Sequence, residues 1–186
     1  MIYCESIIKN IQTMLSLKKF IDILKEKKYE FEIHEHEPLF TVEESNQLRG
    51  KIKGSHSKNL FLKNKKNNFF LISCEEFEEI NLKKISKSFN FGNISFAKEQ
   101  YLFDILGIKP GSVSPFALLN DTNNVVSFYL EKKLHDSEFL NFHPLINTVT
   151  ITIPTNNFIK FMIENKKKIH IFSLVEGIVL KTYESK

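Results

Sequence analysis

The chain has 186 residues, 42% of them hydrophobic, with 26 basic against 22 acidic residues and a formal charge of +4. That length suits one domain with one sizeable core, and the hydrophobic content excludes a disordered chain. Arg49 is the only arginine, and Lys, Asn, Ile and Phe are all heavily used. A bias acting on the whole gene accounts for the charge, which permits a polyanionic partner without arguing for one.

Cys4 and Cys74 offer neither a disulfide framework nor metal-ligand spacing, so they read as free thiols in a reducing compartment. Glu5 falls early, no apolar h-region follows, and no stretch reaches the ~20 apolar residues of a membrane span. The expectation is a cytoplasmic protein without a signal peptide.

In chain order, residues 6–14 and 17–28 are predicted helices. In the second, Leu17, Phe20, Ile21 and Leu24 recur at helical spacing with lysines opposite. Residues 29–36 alternate, Tyr29, Phe31 and Ile33 against Glu30, Glu32 and His34, as a half-buried strand ended by Pro38. Thr41, with Glu44 three residues on, forms a capping box opening a short helix to Leu48. Gly50 and Gly54 bracket a lysine-rich turn, after which residues 59–62 and 69–73 pair as a hairpin. A helix over 82–89, a strand over 94–96 and a helix over 98–106 closed by Gly107 follow. Residues 117–119 and 125–130 read as strands around a turn at Asn120-Asp121. Residues 149–153 alternate as a strand, residues 156–165 form a helix capped by Thr155, and residues 169–172 are expected to close the sheet. Hairpins and helices are mixed, with no repeat or linker, so the expected class is α+β (mixed α/β) around a largely antiparallel or mixed sheet.

Four constellations carry possible chemistry. Gly54-Ser55-His56-Ser57-Lys58-Asn59 is a glycine-led polar loop feeding a strand. It reads as a solvated turn or as a socket for a phosphate or carbonyl oxygen. His34 and His36 share a strand face and could hold a metal together, but no third ligand stands at telling spacing, so a polar strand end is the preferred reading. Gly111-Ser112-Val113-Ser114-Pro115 is a rigid turn, or one whose N–H groups at Ser112, Val113 and Ser114 receive an oxyanion. His143 before Pro144 is either a hydrogen-bonded structural histidine or, flanked by Asn141 and Asn147, one that orients a polar ligand. The absence of a Gly-x-Ser-x-Gly elbow argues against a covalent nucleophile.

Together these stretches resemble the prolyl-tRNA editing domain family, the YbaK/ProX-type aminoacyl-tRNA deacylases. The matching text begins with His36-Glu37-Pro38-Leu39-Phe40-Thr41-Val42-Glu43-Glu44 and Ser57-Lys58-Asn59-Leu60-Phe61-Leu62-Lys63. It continues with Leu106-Gly107-Ile108-Lys109-Pro110-Gly111-Ser112-Val113-Ser114-Pro115-Phe116 and Asn141-Phe142-His143-Pro144-Leu145-Ile146-Asn147-Thr148-Val149-Thr150. The wording is closest to the free-standing ProX type. The resemblance implies a single domain over residues 1–186, with a family-like core over about 17–176, a mixed, partly barrel-like sheet, and residues 1–16 as a helical extension. It implies hydrolysis of the ester of mischarged tRNA(Pro), Ala-tRNA(Pro) first, with no metal or other cofactor. A catalytically inactive tRNA acceptor-stem binding module is the alternative. Lys58 matches the family's essential lysine, Gly111 and Pro115 its Gly-x-x-x-Pro loop, and His143 its pocket histidine. Lys58, Gly111 and His143 are therefore the expected catalytic residues, with Asn59, Ser112, Val113, Pro115, Asn147 and Thr41 around the substrate. The implied partners are the acceptor end of tRNA(Pro) and prolyl-tRNA synthetase, with no membrane.

Overall fold

Alternation decides which side of each strand is buried, and in this chain it builds two cores on a single sheet. The computed structural model describes residues 14–38 and 52–186. In chain order its elements are α1 (Leu17–Glu26), β1 (Glu32–Glu35), β2 (Ser55–Asn64), β3 (Phe69–Glu75), α2 (Leu82–Ser88), β4 (Ile94–Phe96) and α3 (Glu99–Tyr101). There follow a π turn (Leu102–Leu106), a 3₁₀ turn (Pro115–Asn120), β5 (Val126–Glu131), α4 (Lys132–His135), β6 (Phe139–Phe142) and β7 (Val149–Pro154). The chain ends with α5 (Thr155–Glu164), β8 (Ile169–Ser173) and β9 (Ile178–Tyr183). The strands form a mixed sheet in the order β1-β7-β6-β2-β3-β5-β8-β9, with β4 added to β2. Pairs β2/β6, β3/β5 and β5/β8 are parallel and the others antiparallel. The mixed α/β single-domain class expected from the sequence is the one observed.

On β2, Phe61 enters the larger core while Leu62 enters the smaller one on the other face. The larger core is roofed by Phe20 and Leu24 of α1, by Phe158, Phe161 and Met162 of α5, and by Phe116 of the 3₁₀ turn. Ser16 caps α1 by accepting the Lys19 N–H at 3.3 Å. Helix α2 lays Ile85 on the smaller core with Phe70, Ile72, Phe91 and Phe172. Among the described residues no helix is long and apolar enough to cross a membrane.

Several expectations are corrected. Residues 117–119 are not a strand: Ser114 and Pro115 open a 3₁₀ turn, the Ser114 hydroxyl accepting the Phe116 N–H at 3.2 Å. Thr155 does not cap α5. It is the helix's first residue, and its hydroxyl donates to the Ser137 carbonyl. Residues 29–31 precede β1 rather than belonging to it. The stretch 98–106 is helical, but its second half is a π turn, and Gly107 ends it at φ 64°. Strand β8 does not close the sheet, because β9 pairs outside it. The four-residue strand β6 was not among the expected elements. The expected helix over 6–14 lies almost wholly outside the described residues, and the capping-box helix of Thr41 lies outside them entirely.

Candidate functional site

Gly54 launches β2 at φ 88°, a backbone state open to glycine, and it packs so tightly on Phe139 that a Cβ would stand 2.6 Å from that residue's carbonyl oxygen. This close approach seats β2 parallel to β6, pairing Ser55 with Leu140 and His56 with Asn141. Neighbours across a ladder share a face. The face opposite the larger core therefore runs from His34 and His36, through Thr150 and Thr152 of β7, to Asn141 and His143, and on to His56 and Lys58.

Hydrogen bonding fixes the protons along much of this face. Thr152 donates to Asn141 Oδ1 at 2.5 Å and accepts from His34 Nε2 at 3.0 Å, while the Asn141 amide donates to the Lys53 carbonyl at 2.9 Å. His36 Nδ1 donates to the Glu37 carbonyl at 2.8 Å, so its Nε2 accepts the Thr150 hydroxyl at 3.0 Å. His143 Nδ1 donates to the Val149 carbonyl at 2.8 Å, leaving Nε2 with a free lone pair whenever the ring is neutral. Burial holds the His143 imidazole below its ordinary value, and charge on His36 or His56 would push it the same way. The His36 and His143 rings lie 5.8 Å apart.

The expected site residues fall into three groups. Gly111, at φ 84°, lies beside Asn147, whose amide nitrogen is 3.4 Å from where a Cβ would be. The glycine loop and the corner after His143 are thus adjacent. Lys58 lies on the His56 face of β2, opposite Cys74, and its ammonium donates to the Glu78 carbonyl. In this structure it is held on that carbonyl rather than on the glycine loop. Glu131, Glu78 and Glu75 all act electrostatically on Cys74, as Lys58 does, and burial pushes the Cys74 thiol up to about 12. That thiol is no nucleophile near neutrality.

Asn59 points away from Lys58, as the next residue of a strand must. Its carbonyl oxygen accepts the Ser73 hydroxyl at 2.5 Å and its amide reaches Ser57 at 3.4 Å, so it braces the sheet. Ser112 is buried and its N–H donates to the Lys109 carbonyl at 3.2 Å, which removes it as an oxyanion donor. Among the described residues the N–H groups of Val113 and Ser114 have no acceptor and are the two that remain. Val113 also packs on the larger core, and Pro115 is buried. Thr41 lies outside the described residues. Thr152 went unnoticed in the sequence, and His56 and Thr150 were quoted only within longer stretches, without a role of their own. The alternation of Thr150 and Thr152 with Ile151 and Ile153 was a signal for the threonines, whereas nothing local announces the parallel pairing that brings in His56.

Residues 36–161 match the family model described as an aminoacyl-tRNA editing domain. The chain is 35% identical over 136 residues to the prolyl-tRNA synthetase associated domain-containing protein 1 of Bos taurus, spanning 70% of this chain and 79% of that protein. It is 29% identical over 143 residues to the prolyl-tRNA editing protein ProX of Acetoanaerobium sticklandii, spanning 76% of this chain and 87% of that one. A solved structure described as a candidate trans-editing enzyme for prolyl tRNA synthetase superposes with a TM-score of 0.61 at 14% identity, over 84% of this chain and 96% of that one. That last likeness speaks to the fold.

Proposed function

Because the chain belongs to the aminoacyl-tRNA editing domain family, we propose that it is a trans-editing deacylase that hydrolyses the ester of mischarged tRNA(Pro), Ala-tRNA(Pro) first. The observation that carries this reading is the polar face itself. It carries an imidazole whose Nε2 has no partner among the described residues and, on β2, Lys58 two positions from His56, while the glycine loop lies beside Asn147, four residues after His143.

An aminoacyl ester is already reactive, so positioning and charge stabilisation suffice where a stable amide would need a strong nucleophile. His143 Nε2 accepts a proton from the attacking water or from the neighbouring ribose hydroxyl of the substrate. The N–H groups of Val113 and Ser114 receive the carbonyl oxygen as it becomes negative, each worth roughly 3–4 kcal/mol if well aimed. Lys58 exchanges the Glu78 carbonyl for a phosphate or ester oxygen of the terminal nucleotide, a charged acceptor in place of a neutral one. Steric exclusion of the proline ring gives selectivity, since a clash discriminates more sharply than the ~1–3 kcal/mol of one methylene. The partner is the acceptor end of tRNA(Pro), in the cytoplasm, with prolyl-tRNA synthetase as the source of the mischarged substrate.

The test is single-turnover deacylation of Ala-, Cys- and Pro-tRNA(Pro). Ala-tRNA(Pro) should be cleared fastest and Pro-tRNA(Pro) spared, and Lys58→Ala should slow clearance ~100-fold or more while keeping the wild-type circular dichroism spectrum. Near-normal turnover by Lys58→Ala would refute the assignment. The docking of Lys58 on Glu78 favours a second reading, a non-catalytic acceptor-stem binding module. Tight binding of all three tRNAs with no turnover of any would decide for it.

A further inference from the structure

A second basic feature lies at the other end of the sheet. The turns that precede β5 and β8 meet α1 around a cavity of about 370 Å³ lined by Lys19, Asn120, Thr122, Asn124, Lys166 and Lys167, with no carboxylate in its wall. Lys167 is only 8% exposed, yet its ammonium donates to two uncharged acceptors, the Asp121 carbonyl at 2.5 Å and Asn124 Oδ1 at 2.7 Å. The Asp121 carboxylate is occupied by the Val125 and Val126 N–H groups. One of the three ammonium donors of Lys167 is thus left over, and its charge has no partner within bonding distance.

These lysines are not explained as helix caps. The last carbonyls of α5 are taken by the backbone N–H groups of Lys166 and Lys167, on Ile163 and Met162, so neither side chain is needed as a cap. Lys168 is paired with Glu184 at 2.6 Å, but among the described residues Lys19 and Lys166 form no ion pair. Helix α1 begins at the rim, adding the positive end of its dipole. A buried cation, drawn to the Asp121 carboxylate but not bonded to it, lies under two exposed lysines beside a helix N-terminus, a wall that favours an anion.

We propose that this cavity binds a phosphate group of the RNA whose aminoacyl end occupies the polar face, an inference that rests on the deacylase reading for the identity of that RNA. The parallel pairs β3/β5 and β5/β8 put the cavity near the end of β3 that holds Phe69, whereas Lys58 stands opposite Cys74 at the other end. Along β3 those two ends are ~17 Å apart at ~3.3 Å per residue, and the cavity also lies with α1 and α5 on the larger-core side of the sheet, so a chain leaving the polar face must pass round the sheet to reach it. The cavity would hold a phosphate of the acceptor stem well upstream of the ester, adding affinity without touching the chemistry.

The experiment measures equilibrium binding of uncharged tRNA(Pro) to the full chain across a KCl series, for the wild type, for K19E/K166E, and for K83E/K87E as a control of equal charge change on exposed α2. K19E/K166E should bind about 10-fold more weakly at 100 mM salt and flatten the log–log salt slope by about one unit per lost phosphate contact, while the control stays within about twofold of wild type. Inorganic phosphate should shift the Lys166 and Lys167 amide resonances and compete with tRNA. A phosphate shift without competition would mean that the cavity takes free anion and not RNA, which overturns the proposal. So would variant and control that behave alike, or a wild type that does not bind tRNA. In deacylation, K19E/K166E should raise the KM for Ala-tRNA(Pro) by the factor by which binding weakens, and a wild-type KM would count against the cavity. A wild type that binds with the expected salt slope but does not deacylate sinks the enzymatic reading and leaves the cavity standing. A wild type that deacylates while K19E/K166E keeps its affinity sinks the cavity alone.

Discussion

His143 carries one proton at Nδ1, committed to the Val149 carbonyl, and its usefulness depends on Nε2 staying bare. Burial lowers the folded-state value from the ordinary 6.5, so the acceptor is present at neutral pH and is lost only as the pH falls through that lowered value. The same shift acts on stability. The unfolded chain protonates near 6.5 while the folded chain resists, so the unfolded state binds more protons, and stability falls as the pH drops below 6.5 until the folded imidazole also titrates. His170 is lowered by burial too and works in the same direction. His143→Gln should therefore retain part of the slope but lose stability less steeply than wild type as the pH falls below about 6.5. Urea midpoints measured across that range test this, and superimposable pH dependences would show that His143 is not held neutral. The neighbouring imidazole of His36, 5.8 Å away, makes a second positive charge on this face costly and reinforces the direction.

At the scale of elements, the site depends on one short seam. The parallel contact of β2 with β6 involves two residue pairs, and it joins β1, β7 and β6 to the rest of the sheet. Gly54 sets that seam, with φ 88° and the Phe139 backbone inside 3 Å of any added Cβ. Gly54→Ala combines left-handed strain with a clash against backbone that cannot rotate aside, and should cost about 3 kcal/mol or more. Chemical denaturation measures it, and a loss under about 1 kcal/mol would mean the seam yields easily. Gly92 is the internal contrast: it too has positive φ, 72°, but nothing lies within 4 Å of its Cβ position, so Gly92→Ala should show the strain without the clash. Because His56 follows two residues after Gly54, Gly54→Ala should also impair deacylation, which Gly92→Ala should not.

At the scale of the molecule, what could be read from the sequence was what is local. The β2/β3 hairpin, α1, α2, β4, β7 and the glycine stop at Gly107 follow from periodicity and punctuation, and the structure contains them. What escaped was set by distant partners. Strand β6 exists because β2 and β7 flank it, and residues 117–119 turn as a 3₁₀ segment because Ser114 and Pro115 open it and Phe116 must reach the core. Lys58, Gly111 and His143 were singled out as catalytic through the family resemblance and not by local pattern, and the commitment of Asn59 to Ser73 and of the Ser112 N–H to Lys109 was not legible at all. Phe116 ties these scales together. It follows the Gly111–Pro115 loop directly and packs fully buried against Phe20 at 4.6 Å, Phe142 and Phe158 at 5.8 Å and Phe161 at 6.2 Å. Phe116→Ala should lose about 3–5 kcal/mol and also slow deacylation, because the anchor of the glycine loop goes with the ring. Phe91→Ala, in the smaller core on the other face, should lose stability in the same range while single-turnover deacylation below its melting range stays within about twofold of wild type. If both variants slowed deacylation equally at matched stability, the loop would be coupled to folding in general and not to the larger core that holds it.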